Sequence, residues 1–127
     1  MANVDAEFAL IARETSPGQP TLLHGKITAT PVTADVWRWF TVPSGCRIVD
    51  MWFFNTDGGT DVPGDITDGT VTFIADVTFE TAKTTRTNVT AGYGTTYTAD
   101  TVISTTIGTV NTGASMTAEV CALIERL

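Results

Sequence analysis

Val71-Thr72-Phe73-Ile74-Ala75-Asp76-Val77-Thr78-Phe79 decides the fold class. Val71, Phe73, Ala75, Val77 and Phe79 fall on one side of an extended chain. Thr72, Ile74, Asp76 and Thr78 fall on the other, giving the period of two that a half-buried strand requires. The last segment repeats the pattern. Met116, Ala118, Val120, Ala122 and Ile124 alternate with Thr117, Glu119, Cys121, Leu123 and Glu125. Its Ala, Glu and Leu residues would also suit a helix, but strict alternation favours a strand.

Working outward, further strands are expected at residues 7–13 (Phe8, Leu10, Ile11), 22–30 (His24, Ile27), 35–42 (Val36, Trp37, Trp39, Phe40) and 47–55 (Ile48 to Phe54). Two more are expected at 95–98, around Tyr97, and at 101–107 (Val102, Ile103). Turn chemistry separates them. In Ser16-Pro17-Gly18-Gln19-Pro20 the two prolines remove amide donors and fix dihedrals, and Val42-Pro43-Ser44-Gly45 has Pro early and Gly late. Asp57-Gly58-Gly59 opens a long loop running to Asp68-Gly69, and Ala91-Gly92-Tyr93-Gly94 and Asn111-Thr112-Gly113 mark later turns. Roughly one residue in five is Thr, whose β-branched side chain suits a pleated surface. No amphipathic stretch of a dozen residues stands between strands, as a doubly wound α/β fold needs. The expected architecture is all-β: a single-domain antiparallel β-sandwich, jelly-roll-like. Residues 1–20 are expected to form an N-terminal arm or edge strand, and 21–127 the sandwich domain.

The 127 residues suffice for one domain with a core, 43% being hydrophobic and 17% charged. The net charge of −7 and pI of about 4.3 argue against nucleic-acid binding, because an acidic domain repels phosphates. No apolar run approaches the length of a membrane span. Met1-Ala2-Asn3-Val4-Asp5-Ala6-Glu7 is acidic, unlike the start of a secretory signal, so maturation in a cytoplasm is expected.

No catalytic constellation is legible. His24 is the single histidine, and a Ser-His-Asp or Cys-His arrangement would have to use it. No Gly-x-Ser-x-Gly elbow occurs, so His24 reads as structural. Zinc needs several close His or Cys ligands. Cys46 and Cys121 read as buried thiols, with a disulfide between them the alternative. Asn55, Asp57, Asp61, Asp65 and Asp68 lie in one Gly-rich loop that any exposed turn would select, or that could wrap calcium; their spacing is not that of an EF-hand. The same carboxylates make a weaker glycosidase pair. Trp37, Trp39 and Trp52 fill a core or a subunit interface, or alternatively stack sugar rings. Gly92-Tyr93-Gly94 is too short for a phosphate loop, and Asn88-Val89-Thr90 is a chance glycosylation triplet.

Four segments carry a resemblance: TVPSGCRIVDMWFF (41–54), TVTFIADVTF (70–79), GTTYTADTVIS (94–104) and SMTAEVCALIERL (115–127). In this order they resemble the small Thr- and Gly-rich structural proteins of tailed-bacteriophage virions, in particular the β-sandwich proteins that decorate or cement capsids. Tail and head-fibre proteins share the style. The resemblance implies a chain that is not an enzyme, with no catalytic residues and no cofactor. It implies a virion location on the capsid surface, self-association (commonly as trimers) and binding to a major capsid protein. Phe8, Leu10 and Ile11 in the arm, with Trp37 and Trp39, are the interface candidates. The readings that compete are a tail or head-fibre component and a carbohydrate-binding β-sandwich. A small barrel enzyme using His24 or paired carboxylates is the least supported.

Overall fold

Alternation of apolar side chains produces strands that each bury one face. The computed structural model describes residues 2–6, 20–56, 59–60, 63–78, 83–87 and 96–126. The strands, in chain order, are β1 (Asn3–Asp5), β2 (Pro20–Ala29), β3 (Val36–Val42), β4 (Cys46–Asn55), β5 (Gly59–Thr60) and β6 (Pro63–Thr67). They continue with β7 (Thr72–Thr78), β8 (Lys83–Thr87), β9 (Thr101–Thr106), β10 (Thr112–Gly113) and β11 (Met116–Arg126).

Two sheets stack. One has the order β2-β11-β4-β8 and the other β1-β3-β9-β6-β7, while β5 and β10 form a small separate ribbon. Pairing is antiparallel throughout except between β1 and β3. Eight strands (β2, β3, β4, β6, β7, β8, β9 and β11) cross between the sheets in the winding of a jelly roll, so the expected fold class is the one found. To it β1 adds a parallel edge. Its flanks continue the pairing, with the Val36 amide donating to Ala2 O and the Ala6 amide to Arg38 O.

The core lies between the sheets. From β11 it takes Met116, Ala118, Val120, Ala122 and Ile124, all buried, so the strand reading of this segment holds. Four register shifts interrupt the described strands, two of them in the β6–β7 pairing, and three of them change the phase of burial. Trp39 is the extra residue in β3, between the pairs Arg38↔Ser104 and Phe40↔Ile103, and both Trp39 and Phe40 turn inward. Val49 is the extra residue in β4, where Ile124 pairs with Ile48 and Leu123 with Asp50. Phe73 is extra in β7, so Phe73 and Ile74 are both buried. Ile74 was expected on the face opposite Phe73, and the bulge is what moves it.

The sandwich closes tightly along β2 and β3. A Cβ placed on Gly25 would lie 2.1 Å from the carbonyl oxygen of Trp39, so only glycine permits this approach. The turn from β3 to β4 is built as the sequence suggests: Cys46 N–H donates to Pro43 O at 3.3 Å, and Gly45 has φ of +81°. The expected strand at 95–98 is not formed as such. Thr96 makes one isolated bridge to Arg47, and Tyr97 exchanges backbone hydrogen bonds with Gly45 and Cys46. The expected strand at 7–13 lies outside the described residues.

Candidate functional site

The outward-facing residues of β2, β11 and β4 make the most distinctive surface of the described residues. Met51 and Phe53 point into the core, so Trp52 and Phe54 point out. Register then groups their neighbours in rows. Leu22 stands opposite Leu123, His24 opposite Cys121, and Cys121 opposite Trp52. Lys26 stands opposite Glu119, and Glu119 opposite Phe54. Leu22 is 42% exposed, while Trp52, Phe54 and Leu123 are half-buried. The polar groups between them are paired: His24 Nε2 lies 2.8 Å from Glu119 Oε1, and Arg47 Nε donates to Glu125 Oε1 at 2.6 Å. Burial, then the Glu119 charge, pushes the Cys121 thiol up to about 11, which makes it a poor nucleophile.

The residues expected to form interfaces are placed elsewhere. Trp37 and Trp39 are 0% and 1% exposed and sit inside the sandwich. Their rings meet edge to face at 5.9 Å, and the Trp39 indole N–H donates to Thr105 Oγ1 at 2.9 Å. This corrects their assignment as interface residues: neither offers area to a partner, because both point inward from β3. The same burial removes them as a sugar-stacking platform. Phe8, Leu10 and Ile11 lie outside the described residues. Trp52, read from the sequence together with Trp37 and Trp39 as a core, interface or sugar-stacking residue, points outward beside Phe54, which the sequence reading did not single out. The signal that could have separated them is phase: Trp52 and Phe54 alternate with Met51 and Phe53, a four-residue apolar run with two sides.

The described members of the acidic loop take different places in the fold. Asp65 is exposed on β6, Asn55 ends β4 in the core, and Asp68 organises a turn. Asp57 and Asp61 lie outside the described residues. Asp68 Oδ1 accepts the amides of Thr70 and Val71 at 2.8 and 2.6 Å, and Oδ2 accepts the Tyr97 hydroxyl at 2.9 Å. Burial alone would raise this carboxyl, but the Val71 and Thr70 amides and the Tyr97 hydroxyl outweigh it and hold it below its ordinary value. Among the described residues no group of three or more His, Cys, Asp or Glu side chains is placed to hold a metal ion. An open depression lined by Pro63, Gly64, Asp65, Thr67, Thr106 and Gly108 carries a single carboxylate.

Cys46 and Cys121 are both buried and both free. On β4 and β11, Cys46 pairs with Arg126 and Cys121 with Trp52, so the two thiols stand roughly 15–20 Å apart along the sheet. A disulfide needs Cα atoms within about 7 Å, and the disulfide alternative is therefore excluded in this fold.

Comparison with known protein families and with curated sequences finds no match. Solved structures do match. The chain has the fold of phage capsid chains. A chain in the capsid of Ralstonia phage GP4 superposes with a TM-score of 0.79 at 14% identity, covering 98% of each chain. A chain in the capsid asymmetric unit of cyanophage Pam1 gives a TM-score of 0.64 at 18% identity, covering 91% of this chain and 94% of that one. The likeness runs the length of both partners, so the jelly roll is shared as a whole unit rather than as a fragment.

Proposed function

We propose that this chain is a structural protein of a phage virion, a decoration or cement protein that binds the shell built by a major capsid protein and stabilises the head. The supporting observation is the end-to-end fold match to a chain of a phage capsid. The physics is compatible. A shell repeats one site many times, so contacts that are individually weak become strong together. Area buried between neighbouring shell subunits raises the barrier to their separation. We also read the chain as self-associating, commonly as a trimer, and as non-enzymatic, since His24 is engaged by Glu119 on a sheet face.

Residues 1–20 are proposed as the segment that reaches a neighbouring protein, with Phe8, Leu10 and Ile11 as its apolar anchors. The test is to mix purified chain with heads that lack it, and to measure co-sedimentation and the temperature at which the heads open. Binding with an upward shift of several degrees is expected. A chain that stays in the supernatant at saturating concentration would overturn the reading, and labelling confined to tails would favour a tail or fibre component. In the same assay Phe8→Asp, Leu10→Asp and Ile11→Asp together should abolish binding while leaving the sandwich folded. Unchanged binding would reject the arm.

A further inference from the structure

The winding of the jelly roll is complete without β1, which lies along the edge of β3 as a parallel neighbour. The β3 edge nevertheless grips this strand at defined points. The Val36 amide donates to Ala2 O at 2.8 Å, and the Ala6 amide to Arg38 O at 2.9 Å. At one end the buried Asp35 carboxylate accepts the Ala2 amide through Oδ1 at 3.0 Å. Toward the other end the Arg38 guanidinium forks onto Asp5, with Nε and Nη2 donating to the two carboxylate oxygens at 2.5 and 2.9 Å. Val4 and Ala6 pack against the core, while Asn3 and Asp5 face solvent. Backbone bonds give such a strand its affinity, and the alternating side chains give it selectivity. The β3 edge is therefore a slot matched to residues Ala2 to Ala6, with an acceptor at Asp35, an apolar seat for Val4 and a cation for Asp5.

We infer that this slot takes β1 from a second copy of the chain, so that neighbouring copies exchange their N-terminal strands. Every copy carries the segment to which the slot is complementary. An exchanged strand makes the same backbone bonds and the same Asp5–Arg38 pair as the strand it replaces, so the exchange forfeits no contact. Its departure leaves the eight strands of the sandwich paired as they are. Fourteen residues connect Asp5 to Pro20. Fully extended they span roughly 45–50 Å, more than the width of about 35 Å expected of a globular chain this long. The connection is thus long enough to reach from one copy to the next. Where copies sit side by side, that tether raises the local concentration of β1 at its neighbour's slot. The inference deepens the self-association in the function proposed above and rests on that part of it.

The experiment uses two full-length variants, Asn3→Cys and Val36→Cys, the second tagged so that a gel separates them. The two positions stand opposite each other in the β1–β3 pairing, in strands about 4.8 Å apart, a spacing that a disulfide bridges. Mixed at micromolar concentration and oxidised, they are expected to give a mixed covalent dimer at least tenfold above the product of either variant alone. Arg38→Ala added to the second variant should cut that yield severalfold, and an unchanged yield overturns the assignment of the slot. A chain carrying both cysteines reports which copy holds the strand. Exchange is expected to give it covalent oligomers that increase with concentration. Disulfides confined to single chains at every concentration overturn the inference, and so does the absence of any disulfide, because the pairing itself would then be wrong. Sedimentation velocity and head binding of the unaltered chain separate this outcome from the reading it rests on. Oligomers whose disulfides stay within chains keep the self-association and sink the exchange. A chain that is monomeric at every concentration sinks both, and leaves the shell reading standing if it still binds heads.

Discussion

Asp68 is the residue on which a whole turn depends. Its two oxygens accept the Thr70 and Val71 amides and the Tyr97 hydroxyl, tying the β6–β7 hairpin to the segment that precedes β9. Asp68→Ala is expected to lose about 1–2 kcal/mol, since three donors lose a charged acceptor but remain partly accessible to water. The folded carboxyl titrates below its ordinary value of 3.8. Its contribution is therefore complete above that pH and is lost as pH falls through the folded-state value. Urea unfolding of the two proteins at several pH values checks this: the stability gap should be constant near neutrality and shrink in acid. Gly25 makes a second demand at this scale. Gly25→Ala places a methyl against the Trp39 carbonyl, part of a backbone already held by a bulge, and should cost about 3 kcal/mol or more in the same unfolding assay.

At the level of single strands, the sequence was most legible where one face is buried and the phase is unbroken. β11 alternates in sequence, and the burial of Met116, Ala118, Val120, Ala122 and Ile124 follows directly, with Cys121 buried as well. β2, β3 and β4 were equally plain as strands, but the bulges at Trp39 and Val49 decide which residues face inward after them, and a bulge has no apolar signature of its own. That is why Trp37, Trp39 and Trp52 were read alike, though only Trp52 points outward, and why its outward neighbour Phe54 went unmarked. β6 was hidden because Pro63-Gly64-Asp65 reads as a turn, and Pro63 is tolerated there as the first residue of its strand. β8, Lys-Thr-Thr-Arg-Thr, offers no apolar alternation at all; it is an edge strand, where charge and Thr discourage unwanted pairing. Strand placement also fixes the fate of the thiols. Thiol titration in denaturant without reductant should find two free groups, and the native protein should label Cys121 slowly because its thiol is buried and titrates near 11. Finding no free thiol in denaturant would contradict the register of β4 and β11.

For the molecule as a whole, the sandwich separates what is chemically alike in the sequence. Of the loop's carboxylates, Asp65 falls on an exposed strand and Asp68 in a turn, so the cation-wrapping arrangement weighed from the sequence is not assembled among the described residues. Lys26, Arg47, Lys83, Arg86 and Arg126, scattered along the sequence, fall on strands of one sheet, while Arg38 falls on the other. Neither outcome could be read from spacing, because both depend on which strands become neighbours. The fold match to phage capsid chains, at 14% and 18% identity, makes the same point: the winding persists where few side chains do.

The position of β11 has a consequence for how this molecule comes into being. The final strand runs down the middle of its sheet, hydrogen-bonded to β2 on one side and β4 on the other, with Glu125 beside Pro20. Until residues 116–126 have been made, β2 and β4 have no neighbour between them, and their apolar sides wait uncovered. Closure of this sheet should therefore wait for β11 and be slow, in the millisecond-to-second range of chains dominated by distant pairings. A premature stop before Met116 should yield an aggregate rather than a trimmed but working protein. A nascent chain stalled at that point would be a natural client for a chaperone.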